Sequence, residues 1–159
     1  MSAITVAPAA ARPLVVIGCG ARKAPGPAAA GELYTGPYFR ACLGAALALA
    51  PRDRVLVLSA RPGLLRLDDG PIAPYELRLG APGAVTAREV RAQAEALRLH
   101  GQLVVALCGA RYARLAAQVW PETRAPLAGL AIGRQLRVLA GIRDGRYPAG
   151  VWQPAGQRP

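Results

Sequence analysis

Short apolar runs recur along this chain at intervals that suit an alternation of strands and helices. Leu14–Ile17 (Leu-Val-Val-Ile) is wholly apolar, mostly β-branched, and bounded by Pro13 and Gly18. Such a run suits a strand buried on both faces. Arg54–Leu58 (Arg-Val-Leu-Val-Leu) and Leu103–Leu107 (Leu-Val-Val-Ala-Leu) repeat the pattern. Each run is followed by a turn of small residues: Gly18-Cys19-Gly20, Ser59-Ala60-Arg61 and Cys108-Gly109-Ala110. Helical patterns fill the intervals. Tyr38–Ala50 is rich in alanine and leucine and ends at Pro51. Thr86 opens a second helix, with Glu89 at capping-box spacing, that runs to about His100 and stops at Gly101. Ala110–Val119 is a third, and Ala131–Ala140, closed by Gly141, a fourth. Buried strands alternating with helices predict a parallel sheet with right-handed crossovers. The expectation is one α/β domain over residues 13–142, three layers deep, with a mainly parallel sheet flanked by helices. Residues 1–12 and 143–159 read as loosely ordered tails.

Three connections are long for structureless loops: 21–37, 61–83 and 121–129. Loops of that length in a compact domain are usually functional or disordered. In an open parallel sheet, ligands bind outside the carboxyl ends of the strands. The loops after Ile17, Leu58 and Leu107 should emerge at that edge.

Composition narrows the class of protein. Hydrophobic residues are 53% of the 159, which argues against wholesale disorder. No window approaches the roughly 18–20 apolar residues needed to span a bilayer. Met1–Arg12 has no basic n-region, so a cytoplasmic location with no membrane contact is expected. Cys19, Cys42 and Cys108 are scattered and odd in number, and His100 is the one histidine. Neither a disulfide framework nor a structural metal is expected, and no cofactor. The net charge of +11 points to an anionic partner, nucleic acid first, or else a nucleotide. The 19 arginines beside a single lysine fit the coding bias of a GC-rich genome, but that bias does not explain why only nine acidic residues balance twenty basic ones.

The first strand-end loop, Gly18-Cys19-Gly20-Ala21-Arg22-Lys23, combines small residues with charge. Backbone N–H groups of Cys19 and Gly20, with Arg22 and Lys23, could hold a phosphate. The plainer alternative is a tight turn with solvated charges. Cys19 beside cations could be a nucleophile, or simply a small buried residue. Glu32, Tyr34, Tyr38 and Phe39 follow within a few residues. Tyr34 could stack on a base and Glu32 could act on a sugar or an attacking water; equally, Tyr34 and Tyr38 could anchor the loop and the following helix onto the core, as Phe39 is read to do. In the longest loop, Ser59, Arg61 and Gly63 suit ligand contact, Asp68 and Asp69 could cap a turn or bind a polar ligand, and Tyr75 is a second stacking candidate. No histidine is placed to complete a triad with Ser59, which reads as a hydrogen-bonding residue.

These stretches carry a resemblance. Cys19-Gly20-Ala21-Arg22-Lys23, Glu32-Leu33-Tyr34, Phe39, Leu58-Ser59-Ala60-Arg61-x-Gly63-Leu64-Leu65-x-x-Asp68 and Ile72-x-Pro74-Tyr75 together resemble the uncharacterised family of small bacterial and phage proteins related to the YaaA peroxide-stress proteins. The similarity spans about 14–139 for the small family and mainly 58–75 for YaaA itself. Pro62 stands where such motifs commonly carry an aromatic residue or histidine. The Cys19–Lys23 segment also resembles segments in domains attached to tRNA deazaguanine-modifying enzymes. The resemblance implies contact with DNA or RNA and nucleobase chemistry.

Three functions fit these residues. One is a base-directed, glycosylase-like hydrolase of the N-glycosidic bond, with Glu32, Asp68 or Asp69 catalytic and Cys19, Gly20, Arg22, Lys23, Tyr34, Ser59, Arg61, Gly63 and Tyr75 holding substrate. A second is a non-catalytic DNA-binding stress-response protein of the YaaA type, with Arg88, Arg91 and Arg98 as a phosphate-facing stripe on one helix, or equally a solvated helix surface. A third is a small-nucleotide sensor or transferase.

Overall fold

A computed structural model describes residues 13–146. The tail expected over 1–12, and all but the first four residues of that expected over 143–159, lie outside the described residues. Five strands, β1 (Leu14–Gly18), β2 (Val55–Leu58), β3 (Leu64–Arg66), β4 (Val104–Leu107) and β5 (Thr123–Arg124), form one sheet in the order β3-β2-β1-β4-β5. β1 (Leu14–Gly18) is central and pairs in parallel with β2 (Val55–Leu58) and β4 (Val104–Leu107), in registers that set Val15 against Val55 and Leu14 against Val104. Alternate residues of these strands point to opposite faces. Val15, Ile17, Val55, Val57, Val105 and Leu107 pack beneath α2 (Pro37–Leu49) and α5 (Ile132–Arg143). Leu14, Val16, Leu56, Leu58, Val104 and Ala106 pack against α3 (Ala87–Ala96) and α4 (Ala110–Val119). Helices on both faces explain why the strands read as continuous apolar runs. The fold is α/β, three layers, with a mostly parallel sheet.

The long connections hold structure that the apolar pattern does not announce. β3 (Leu64–Arg66) turns back antiparallel to β2, and β5 (Thr123–Arg124) pairs in parallel with β4. These strands are three and two residues long. A period of two cannot be read from so few positions, and pairing with an existing strand is what orders them. α1 (Ala30–Leu33) is a single turn laid beside β3, its Gly31 N–H donating to Leu67 O at 2.9 Å. A Cβ on Gly31 would lie 3.3 Å from that carbonyl oxygen, a tight contact that glycine avoids.

Two helix ends differ from expectation. The Thr86–Glu89 capping box forms, but α3 ends at Ala96 and not near His100. Arg98 adopts φ +57°, and the N–H groups of Arg98 and Leu99 return to the carbonyls of Glu95 and Ala94. That is a left-handed helix cap built on arginine instead of glycine. α5 passes through Gly141 to Arg143 and closes at Gly145 (φ +85°), with Arg146 N–H on Gly141 O at 2.7 Å.

Candidate functional site

After β1 the chain leaves toward α2 on one face of the sheet, and after β4 it leaves toward α4 on the other. The connections diverge, so a crevice opens between the carboxyl ends of β1 and β4, the place where open α/β sheets bind ligands. Gly18 sits at that point. A Cβ there would lie 3.1 Å from Tyr112 Cγ and 3.2 Å from Cys108 Cβ, so glycine lets the Tyr112 ring lie against the end of β1. Cys19 Sγ and Tyr112 Oη are 3.0 Å apart, joining the β1 loop to the first turn of α4.

Beside this pair lies a second. The hydroxyls of Tyr34 and Tyr75 are 2.6 Å apart, and their rings meet edge to face at 6.5 Å. Tyr34 is fully buried and packs on Phe39 at 5.1 Å between centroids. Lys23 Nζ stands 4.5 Å from the Tyr75 ring centroid and 5.7 Å from that of Tyr34, and donates to the carbonyls of Gly20 and Ala21. Its backbone bridges Tyr34. Lys23 therefore ties the β1 loop to both tyrosines by cation–π contact and hydrogen bonds. Burial pushes the Tyr34 phenol up to about 12, against the lowering effect of its hydrogen bond with Tyr75. Tyr75 and Tyr112 are raised as well, first by burial and then by the neighbouring Cys19 sulfur. All three stay phenols at neutral pH, Tyr34 and Tyr75 paired with each other and Tyr112 beside the Cys19 sulfur.

The crevice has a volume of about 230 Å³ and is lined by Cys19, Gly20, Ala21, Leu77, Arg78, Leu79, Arg111 and Tyr112. Arg78 and Arg111 are exposed at its rim. Segment 76–81 forms one wall. On its β1-loop side lies a cleft of about 520 Å³ lined by Ala21, Lys23, Glu76, Leu77, Arg78 and Ala81.

A family model described as "Family of unknown function (DUF6884)" matches residues 14–141, from the first residue of β1 into α5. The chain belongs to DUF6884. No curated protein and no solved structure matches it.

In this DUF6884 chain the residues expected from sequence divide into groups. Cys19, Gly20, Lys23, Tyr34 and Tyr75 come together at the carboxyl edge, with Arg22 exposed nearby. Tyr34 offers no face for stacking, because it is covered on all sides. Ser59 is also fully buried. Its hydroxyl donates to Gly63 O at 2.8 Å and accepts from Gly63 N–H at 2.9 Å, closing the turn that aims β3. Gly63 has φ +102°, and a Cβ there would collide with Gln93, whose amide holds Pro62 O and Leu64 N–H. Arg61 is exposed on that turn.

The expected catalytic carboxylates stand elsewhere. β3 runs antiparallel to β2, with Leu64 beside Leu58 and Arg66 beside Leu56. Asp68 and Asp69 follow β3 and so lie at the opposite, amino edge of β2. Asp68 is exposed and paired with Arg52 at 2.6 Å, which draws its carboxyl below the usual range. Asp69 accepts from Arg66 N–H at 2.9 Å in a turn, and Glu32 is exposed, within electrostatic range of Arg52. Among the described residues, no three Cys, His, Asp or Glu side chains gather as a metal site, and no helix is long and apolar enough to cross a membrane.

Arg78, Arg111 and Tyr112 were not singled out by sequence. Arg111 and Tyr112 directly follow the turn after β4, so extending the strand-end rule into the first turn of α4 would have found them. Arg78 lies in a segment with no periodicity and gave no signal.

Proposed function

We propose that this chain is a nucleic-acid- or nucleotide-directed protein that takes a phosphate-bearing ligand in the crevice between β1 and β4. One observation carries the reading: a concave site at the strand-order reversal is rimmed by Arg78 and Arg111, with the Cys19–Tyr112 pair at its base. Guanidinium groups match phosphate bidentately, and the Tyr112 phenol and small-residue loop add hydrogen-bond donors. The +11 charge favours the same partners by long-range attraction. DNA comes ahead of RNA on the resemblance of 58–75 to the YaaA family. The test is fluorescence anisotropy with a labelled dinucleotide at low salt. Wild type binds, and Arg78→Ala with Arg111→Ala weakens binding at least tenfold. Absence of binding, or binding indifferent to both substitutions, would overturn the reading.

A base-directed hydrolase is the second reading, and one observation favours it. Glu76 lines the cleft beside the crevice together with Lys23. In this reading Glu76 activates the attacking water, since Glu32, Asp68 and Asp69 do not share that edge. Mass spectrometry of bases released from DNA, tRNA and nucleotide pools checks it. Release abolished by Glu76→Gln and kept by Glu32→Gln supports hydrolysis, and no release from any pool leaves a binding protein.

A further inference from the structure

The crevice does not end at Arg111. Arg78, Leu79 and Arg111 also line a groove of about 670 Å³ on the outer side of α4, completed by Gly80, Ala81, Arg114, Leu115 and Gln118. Arg111, Arg114 and Gln118 are spaced i, i+3, i+7, so they form one stripe along α4. No carboxylate lines this groove, and no described ion pair engages Arg78, Arg111 or Arg114. Three exposed guanidiniums converging without counter-charge repel one another, and a polyanion relieves that repulsion. Leu79 and Leu115 give the groove apolar ground between its charges.

Size then distinguishes a polymer from a small molecule. The crevice, at about 230 Å³, falls below the roughly 300–1,000 Å³ usual for a site that encloses a small ligand. It accommodates one base or one sugar-phosphate group, while the larger groove and the 520 Å³ cleft continue from it on either side of segment 76–81. A ligand filling all three has to bend around that segment. Duplex DNA, with a persistence length of roughly 150 base pairs, does not follow such a path, whereas a single strand does.

We infer that the groove along α4 is a track for the backbone of single-stranded nucleic acid, running on from the crevice; the inference rests on the phosphate-binding reading of the crevice. Arg114 and Arg78 hold successive phosphates, and Leu79 and Leu115 lie under the bases or sugars.

The experiment compares a labelled thymidylate 12-mer, the dinucleotide and a 12-base-pair duplex on wild type and two variants. Arg114→Gln alters only the groove. Arg134→Gln, exposed on α5 across the sheet, controls for net charge. The 12-mer is expected to bind at least tenfold more tightly than the dinucleotide and more tightly than the duplex. Arg114→Gln should weaken the 12-mer about fivefold, reduce the slope of log K against log salt by about 0.7, and leave the dinucleotide unchanged. Arg134→Gln should leave both nearly unchanged. Equal affinity for dinucleotide and 12-mer, equal losses in the two variants, or tighter duplex binding would overturn the track and leave the crevice reading standing. Failure of every probe to bind would overturn both.

Discussion

Replacing Ser59 by alanine separates a structural role from a ligand role at a residue whose position directly after β2 suggests both. Its hydroxyl lies in a fully buried turn, donates to Gly63 O and accepts from Gly63 N–H. In Ser59→Ala the carbonyl keeps one partner, because Ser59 N–H also donates to it at 2.8 Å. The Gly63 N–H loses its acceptor. The space left is that of one hydroxyl, too small for a water to enter. An orphaned buried donor costs about 1–3 kcal/mol, so about 2 kcal/mol is expected. For a domain of this size that lowers Tm by about 4–8 °C. Denaturant unfolding followed by the fluorescence of Trp120, which is buried, measures the change. Dinucleotide affinity of the folded variant should be unchanged. A loss under about 0.5 kcal/mol would refute the hydrogen-bond accounting. Retained stability with lost affinity would put the hydroxyl on the ligand.

The other predictions concern the turns, the crevice and the buried phenols. Arg98→Gly should stabilise the protein by about 0.5–1 kcal/mol in the same unfolding assay, because glycine adopts φ > 0 without the steric penalty that arginine bears at +57°. Gly18→Ala should push the Tyr112 ring off β1 and destabilise by about 1–3 kcal/mol. It should also speed alkylation of Cys19 in the native protein by parting the Sγ–Oη contact, and an unchanged rate would mean that the ring had not moved. Alkaline pH should unfold the chain. The Tyr34 phenol is raised in the fold from 10.0 to about 12, so its contribution to stability is complete below pH 10 and is lost as the pH rises toward 12. Absorbance at the phenolate band should rise together with loss of the native Trp120 signal, and full phenolate formation near pH 10 with the fold intact would contradict the burial.

Wherever burial on two faces left its mark in consecutive residues, the sequence alone determined the architecture. Leu14–Ile17, Val55–Leu58 and Val104–Leu107 are apolar without a break because helices cover both sides of the sheet, and that pattern is local. The capping box of α3 and the edge at which the loops emerge were legible for the same reason. The family model matches residues 14–141, which take in all of these strands. Tertiary structure alone decided what the loops do. The serine and glycine of the 58–65 stretch look like site residues in sequence, yet they spend their hydrogen bonds and their φ on the turn that sends β3 back along β2. That reversal carries Asp68 and Asp69 to the far edge, a displacement no spacing rule foresees, because a change of strand direction leaves no periodic trace. Lys23, in sequence a candidate phosphate holder or a solvated charge, also ties the β1 loop to Tyr34 and Tyr75, which only the folded chain brings beneath it. Cys19 and Tyr112 are 93 positions apart and meet because β1 and β4 are neighbours in the sheet. Local periodicity determines which residues are strand or helix, but strand order determines which loops share a crevice.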